Sequence, residues 1–168
     1  MPLRVSPEDM GPLLAALSMI IEEIDLGLQP DYGIQVAADR VVWQHDMRAA
    51  LAALKNPELW GQMKRSLFVE VPLGPPAGRA CGEACIVAAN RLDHYSGIVS
   101  ESTKGGVHAA MASQAAHEPT LELVERYFLW VRGDAAWARN EALRLRLLAH
   151  ELTLHGSADV SDRGGQVQ

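Results

Sequence analysis

The sequence predicts a mainly α (α+β) fold: about six helices, a small β-hairpin or sheet formed by about 34–44 and 66–73, and a C-terminal αα-hairpin. Three observations carry this. Apolar residues recur at helical spacing over 10–28, 47–54 and 119–154, residues 66–73 switch to a period of two, and turn residues separate these stretches without a domain-scale linker. A chain of 168 residues with 48% hydrophobic content is long enough to bury a core as one domain. We expect residues 1–156 to form a single globular domain and 157–168, with little to bury, to form a flexible C-terminal tail.

The first helix starts at Ser6-Pro7-Glu8-Asp9: a hydroxyl N-cap, proline at the first position, and acids at the positive end of the dipole. Met10, Leu13, Leu14, Leu17, Ile20, Ile21, Ile24 and Leu28 then share one stripe, with Pro12 expected to delay the first regular turn. Pro30-Asp31-Tyr32-Gly33 is a turn, and residues 34–44 read as two short strands around Ala38-Asp39. His45-Asp46 opens a second helix whose face is Met47, Ala50, Leu51 and Leu54; Asn56-Pro57 ends it and starts a short helical turn containing Leu59, Trp60 and Met63. From Ser66 to Leu73 the alternation is that of a strand, with Pro72 at its end or on an edge.

A helix is expected from about Gly78 to Tyr95, followed by a connection through residues 96–106 in which Ile98 and Val99 could add a short strand. The C-terminal third reads as a helix from Pro119 to Val131, a turn at Arg132-Gly133, and a second helix capped by Asp134 and ending at Gly156. On that last helix Leu143, Leu147 and Leu154 form one apolar stripe, and Trp137, Leu148 and Leu152 another. A helix apolar on two sides needs two neighbours: its hairpin partner, and either the N-terminal helix or another subunit.

Composition excludes several function classes. The longest apolar run, Leu13 to Ile21, ends at Glu22-Glu23, short of the roughly 20 residues of a membrane span. The start, MPLRVSPEDM, does not read as a signal peptide, and with two cysteines the chain is expected in the cytoplasm with free thiols. Net charge is −6, and residues 1–60 hold four Lys/Arg against nine Asp/Glu, which argues against nucleic-acid binding.

The stretch FVEVPLGPPAGRACGEAC, Phe68 to Cys85, has the strand, glycine turn and helix context of a phosphate loop. Gly74 to Gly78 is one residue short of the Walker spacing, Arg79 stands in place of the lysine, Ala80 offers no hydroxyl for magnesium, and the two prolines remove N–H donors. The reading is therefore a rigid turn, with Arg79 kept as a ligand-binding candidate. Cys81 and Cys85 are one helical turn apart, where Cβ atoms are about 5–6 Å apart, against the about 3.5–4.5 Å of a disulfide. They fit close packing with Ala84, Ala88 and Leu92, and the catalytic alternative is a reactive Cys81, activated by Arg79 and the helix N-terminus, with Cys85 and His94 nearby in sequence.

His150-Glu151-Leu152-Thr153-Leu154-His155 resembles a zinc-protease string only superficially, because histidines five apart are turned by about 140° and cannot grip one ion. Glu-x-x-His is absent, so no carboxylate-bridged metal bundle is expected, and neither is any cofactor or metal. Ser102, Thr103, Lys104 and Gly105 read as a loop before a helix that could meet an anion. Arg132, Arg139, Arg146 and His150 lie along one side of the last helix and the turn before it, and form either a solvated face or a partner-binding stripe.

The function expected from these features is a non-catalytic interaction or adaptor-type protein, self-associating or docking on a protein partner through apolar faces of its terminal helices. The alternatives are a small thiol- or metal-dependent enzyme or sensor using Cys81 and Cys85, and a binder of a phosphate-bearing small molecule.

Overall fold

The computed structural model describes residues 3–26, 40–62, 67–72, 74–105 and 119–166. In chain order these are β1 (Leu3–Val5), α1 (Pro7–Asp25), α2 (Arg40–Leu54), α3 (Pro57–Gln62), β2 (Val69–Val71), α4 (Pro75–Gly105), α5 (Pro119–Tyr127), a 3-10 turn (Leu129–Val131) and α6 (Ala135–Gln166). The protein is mainly helical with one small antiparallel sheet.

Helix α1 is the hub. It touches α2, α4, α5 and α6, and the expected stripe of Met10, Leu13, Leu17, Ile20 and Ile21 is buried together with Pro12, Ala15, Ala16, Met19 and Glu23. Gly11, Leu14, Ser18 and Glu22 remain half-exposed along one strip, so most of the apolar face expected at this end is used inside the chain. The helix begins at Pro7 without the delay anticipated from Pro12. Ser6 occupies the N-cap position, but its hydroxyl donates to Asp9 Oδ2 at 2.8 Å instead of accepting from a backbone N–H.

The largest contact in the fold joins α4 and α6. They run antiparallel: Gly82 lies against Ala149 and Thr153, Arg146 donates to Asn90 Oδ1 at 3.1 Å, and Ser96 Oγ donates to the Ala135 carbonyl at 2.9 Å. Small residues make the close approach feasible, since Ala80, Gly82, Ala84, Ala88 and Ala89 of α4 are buried, as are Ala138, Ala142 and Ala149 of α6. The C-terminal helices are consecutive around a tight turn, yet α6 finds its main partner in α4, and α5 packs on α1 and α4. That turn is pinned by Tyr95, whose hydroxyl donates to Glu125 Oε1 at 2.9 Å and accepts from the Gly133 N–H at 2.8 Å. Gly133 has φ +73°, a backbone region in which glycine is favoured.

Several expectations are corrected. Residues 40–44 are the first turns of α2, not a strand, and 34–39 lie outside the described residues. Strand preference at Val41-Val42-Trp43 is weak beside the hydrogen bond gained for each residue that extends a helix. The partner of β2 is β1: Leu3 faces Val71, Arg4 faces Glu70 and Val5 faces Val69. Helix α4 runs on to Gly105, so the connection and the short strand at Ile98-Val99 do not form. Helix α6 continues to Gln166, past the expected stop at Gly156, because an internal glycine costs only about 1 kcal/mol and does not itself terminate a helix. The predicted cap at Asp134 forms, its Oδ1 accepting from the Trp137 N–H at 3.0 Å.

Candidate interaction surface

On α6 the buried side carries Ala138, Ala142, Leu145, Leu148, Ala149 and Leu152, and the opposite side is open. Leu143, Leu147 and Leu154 are 59%, 61% and 55% exposed. They belong to a longer series, Ala136, Asn140, Leu143, Leu147, His150 and Leu154, all exposed and separated by steps of 4, 3, 4, 3 and 4 residues. That alternation is the a/d pattern of a helix meeting another helix, here on a face that the described residues leave exposed. The leucines were legible in the sequence as a stripe. Ala136 and Asn140 were not singled out, although the alternating spacing would have found them. Other exposed apolar side chains, such as Leu67, Phe68 and Leu129, sit at turns and strand ends, where isolated exposure is ordinary.

The basic residues expected beside this stripe have separate fates. Arg146 donates to Asn90 and pairs with Asp93 on α4, so it ties α6 to its own core. Arg132 pairs with Glu125 at 3.3 Å. Arg139 and His150 are exposed, Arg139 flanking the stripe and His150 within it. Arg144, not predicted as a contributor, flanks the other side and lies 3.6 Å from Glu141 and 4.0 Å from Asp9.

The thiol constellation does not assemble. Cys81 and Cys85 are free and buried. Burial pushes the Cys81 thiol up to about 12, and pushes Cys85 well above its ordinary value with further increments from the Cys81 and Asp9 charges. The activation expected from Arg79 is therefore corrected: Arg79 is exposed, and desolvation decides the thiol's state. His94 is exposed thirteen residues further along the same helix, about 20 Å from Cys81 in axial rise.

The anion readings are separated in the same way. Arg79 stands near the start of α4, whereas Ser102, Thr103, Lys104 and Gly105 form its last turn, about 35 Å away, and their side chains lie outside the described residues. Those four residues are the end of α4, the helix expected after them lies outside the described residues, and a helix C-terminus carries the negative end of the dipole. At the other end, the Gly78 N–H is taken by the Gly74 carbonyl at 3.0 Å.

Two carboxylates are buried. Glu23 of α1 accepts from Arg91 Nε of α4 at 3.2 Å, and Glu141 of α6 meets Arg144; each leaves one oxygen, Oε2, without a hydrogen-bond partner among the described residues. Burial raises both carboxyls above their ordinary value, and Arg91 and Arg144 respectively offset part of the rise. Each has an arginine partner: Glu23–Arg91 ties α1 to α4, whereas Glu141–Arg144 is an i,i+3 pair within α6. Among the described residues, no group of three or more His, Cys, Asp or Glu side chains is arranged to hold a metal ion, and no helix is long and apolar enough to cross a membrane. Comparison with protein-family models, curated proteins and solved structures returns no match, so the surface itself carries the functional argument.

Proposed function

We propose that the protein is a non-catalytic interaction protein that docks through the exposed apolar stripe of α6. The observation that carries this is the exposure of Leu143, Leu147 and Leu154 in a/d spacing on a helix whose other face is fully packed. Fully burying a leucine contributes about 1.5–3 kcal/mol, so covering the remaining 59%, 61% and 55% contributes roughly 3–5 kcal/mol per chain. A partner helix with a matching stripe doubles this to roughly 5–10 kcal/mol, which reaches the lower part of the about 4–15 kcal/mol lost on association. The expected interaction is therefore reversible, not an obligate assembly. Two free, buried cysteines support a reducing compartment, and we assign the role to the cytoplasm. The net charge of −6 favours a protein partner over nucleic acid.

Sedimentation velocity across a concentration series, with bis-ANS fluorescence as a reporter of exposed apolar surface, tests the reading. The wild-type chain is expected to associate with rising concentration and to light the dye, and Leu147→Lys to weaken both. A wild-type protein that is monomeric at the highest attainable concentration and leaves the dye dark overturns it.

A further inference from the structure

Resting on the α6 stripe as a docking surface, we infer that its occupant is a second copy of this chain, with the two α6 helices antiparallel and the two-fold axis at the level of residue 145. The stripe reads Ala136, Asn140, Leu143, Leu147, His150, Leu154. Laid against itself in reverse, it places Ala136 opposite the partner's Leu154, Asn140 opposite the partner's His150, and Leu143 opposite the partner's Leu147. Each layer is complementary: small meets large, an amide with donors and an acceptor meets an imidazole with one of each, and leucine meets leucine. The symmetry repeats every layer once on the other side of the axis, as an isologous interface requires. A parallel pairing stacks alanine on alanine at one end and imidazole on imidazole in the last layer but one, which leaves a narrow layer and a layer of like groups.

Charge points the same way. Three arginines flank the stripe, which by themselves would favour an acidic partner. Arg144 is already matched within the chain by Glu141 and Asp9, and Arg146 by Asp93. These two lie closest to the proposed axis, so two copies meet there without an uncompensated basic row. Arg139, further out, falls opposite the partner's Thr153, and the exposed Trp137 opposite the partner's Glu151. From Ala136 to Leu154 the contact runs about 27 Å, or almost three heptads.

Mixing two charge variants tests both orientation and register. Leu143→Lys and Leu147→Glu are exposed in the single chain, so each is expected to fold as the wild type does, as checked by far-UV circular dichroism. Each alone buries an unpaired charge in the homodimer and is expected to weaken it about a hundredfold or more. Mixed in equal amounts, they are expected to re-associate as a heterodimer, because the antiparallel register sets the lysine of one chain against the glutamate of the other and leaves the second layer leucine on leucine. If both variants are monomeric and the mixture stays so, the antiparallel register is wrong while the docking surface stands. Variants that associate as tightly as the wild type overturn the docking surface itself. A wild-type chain that is monomeric yet lights bis-ANS removes the second copy as occupant.

Discussion

Arg91→Met probes what holds Glu23 in the core. Glu23 has no exposed side-chain surface, Arg91 keeps 17% of its own, and one hydrogen bond of 3.2 Å joins them while Glu23 Oε2 has no partner among the described residues. Removing the guanidinium leaves a buried carboxylate uncompensated, which costs roughly 3–5 kcal/mol. That is a large part of the about 5–15 kcal/mol by which a domain is stable, and at about 2–4 °C per kcal/mol it lowers the Tm by roughly 6–20 °C. The pH dependence has a definite sign. Burial raises the Glu23 carboxyl from its ordinary 4.5, and the charge and hydrogen bond of Arg91 pull it only part of the way back. Between the unfolded and folded values the native state holds a proton that the unfolded chain has released, so this stabilising contribution is full below the unfolded value and is lost as pH rises through the folded one. Without Arg91 both lowering influences vanish and the rise is larger. The deficit of the variant is therefore greatest near pH 7 and shrinks as the pH falls toward 5. Combining Glu23→Met with Arg91→Met removes both charges and is expected to recover most of the loss, because a buried ion pair replaced by apolar groups is often neutral or better. Urea denaturation followed by circular dichroism at several pH values, for the wild type, the single variant and the double variant, measures all of this. A single variant as stable as the wild type at pH 7, or a deficit that grows on acidification, refutes the argument.

Three further outcomes are expected. At Gly82 an added Cβ would lie 3.2 Å from both the Ala149 carbonyl oxygen and Thr153 Oγ1, whereas at Gly97 nothing lies within 4 Å. Gly82→Val should therefore lose roughly 1–3 kcal/mol by overpacking the α4–α6 contact and Gly97→Ala should gain up to about 1 kcal/mol, and equal effects in denaturant melts would contradict the close approach. Tyr95→Phe deletes both hydrogen bonds that pin the turn at Gly133, one of them to a carboxylate, and should cost roughly 1.5–3 kcal/mol; a change below about 0.5 kcal/mol would show the turn holds without them. With Cys81 pushed up to about 12 and Cys85 raised well above its ordinary value, neither thiol should react with an aromatic disulfide reagent near pH 8 until the chain unfolds. Rapid native labelling of one equivalent would restore the reactive-thiol alternative.

Local pattern was enough for α1, for the core of α2, for the cap at Asp134 and for the strand around Val69-Glu70-Val71, because each depends on the spacing of apolar residues or on a capping group within a few positions. It was not enough for β1, where Leu3-Arg4-Val5 is too short to announce a strand and acquires its identity from pairing with residues 69–71. The helix boundaries at Arg40, Gly105 and Gln166 also escaped it, since helices propagate through residues of weak preference once a packed segment has nucleated them.

The candidate surface divides along the same line. Spacing along the chain is enough to give the last helix two apolar sides and to set Cys81 and Cys85 on a face with small residues. It took the packed fold to show that α4 covers one side of α6 and leaves Leu143, Leu147 and Leu154 exposed, and that Arg79, Cys81 and His94 are strung along one helix instead of converging. Periodicity is a relation between neighbours along the chain, whereas cover and convergence are relations between segments far apart in it, set by which helices lie side by side in the packed fold.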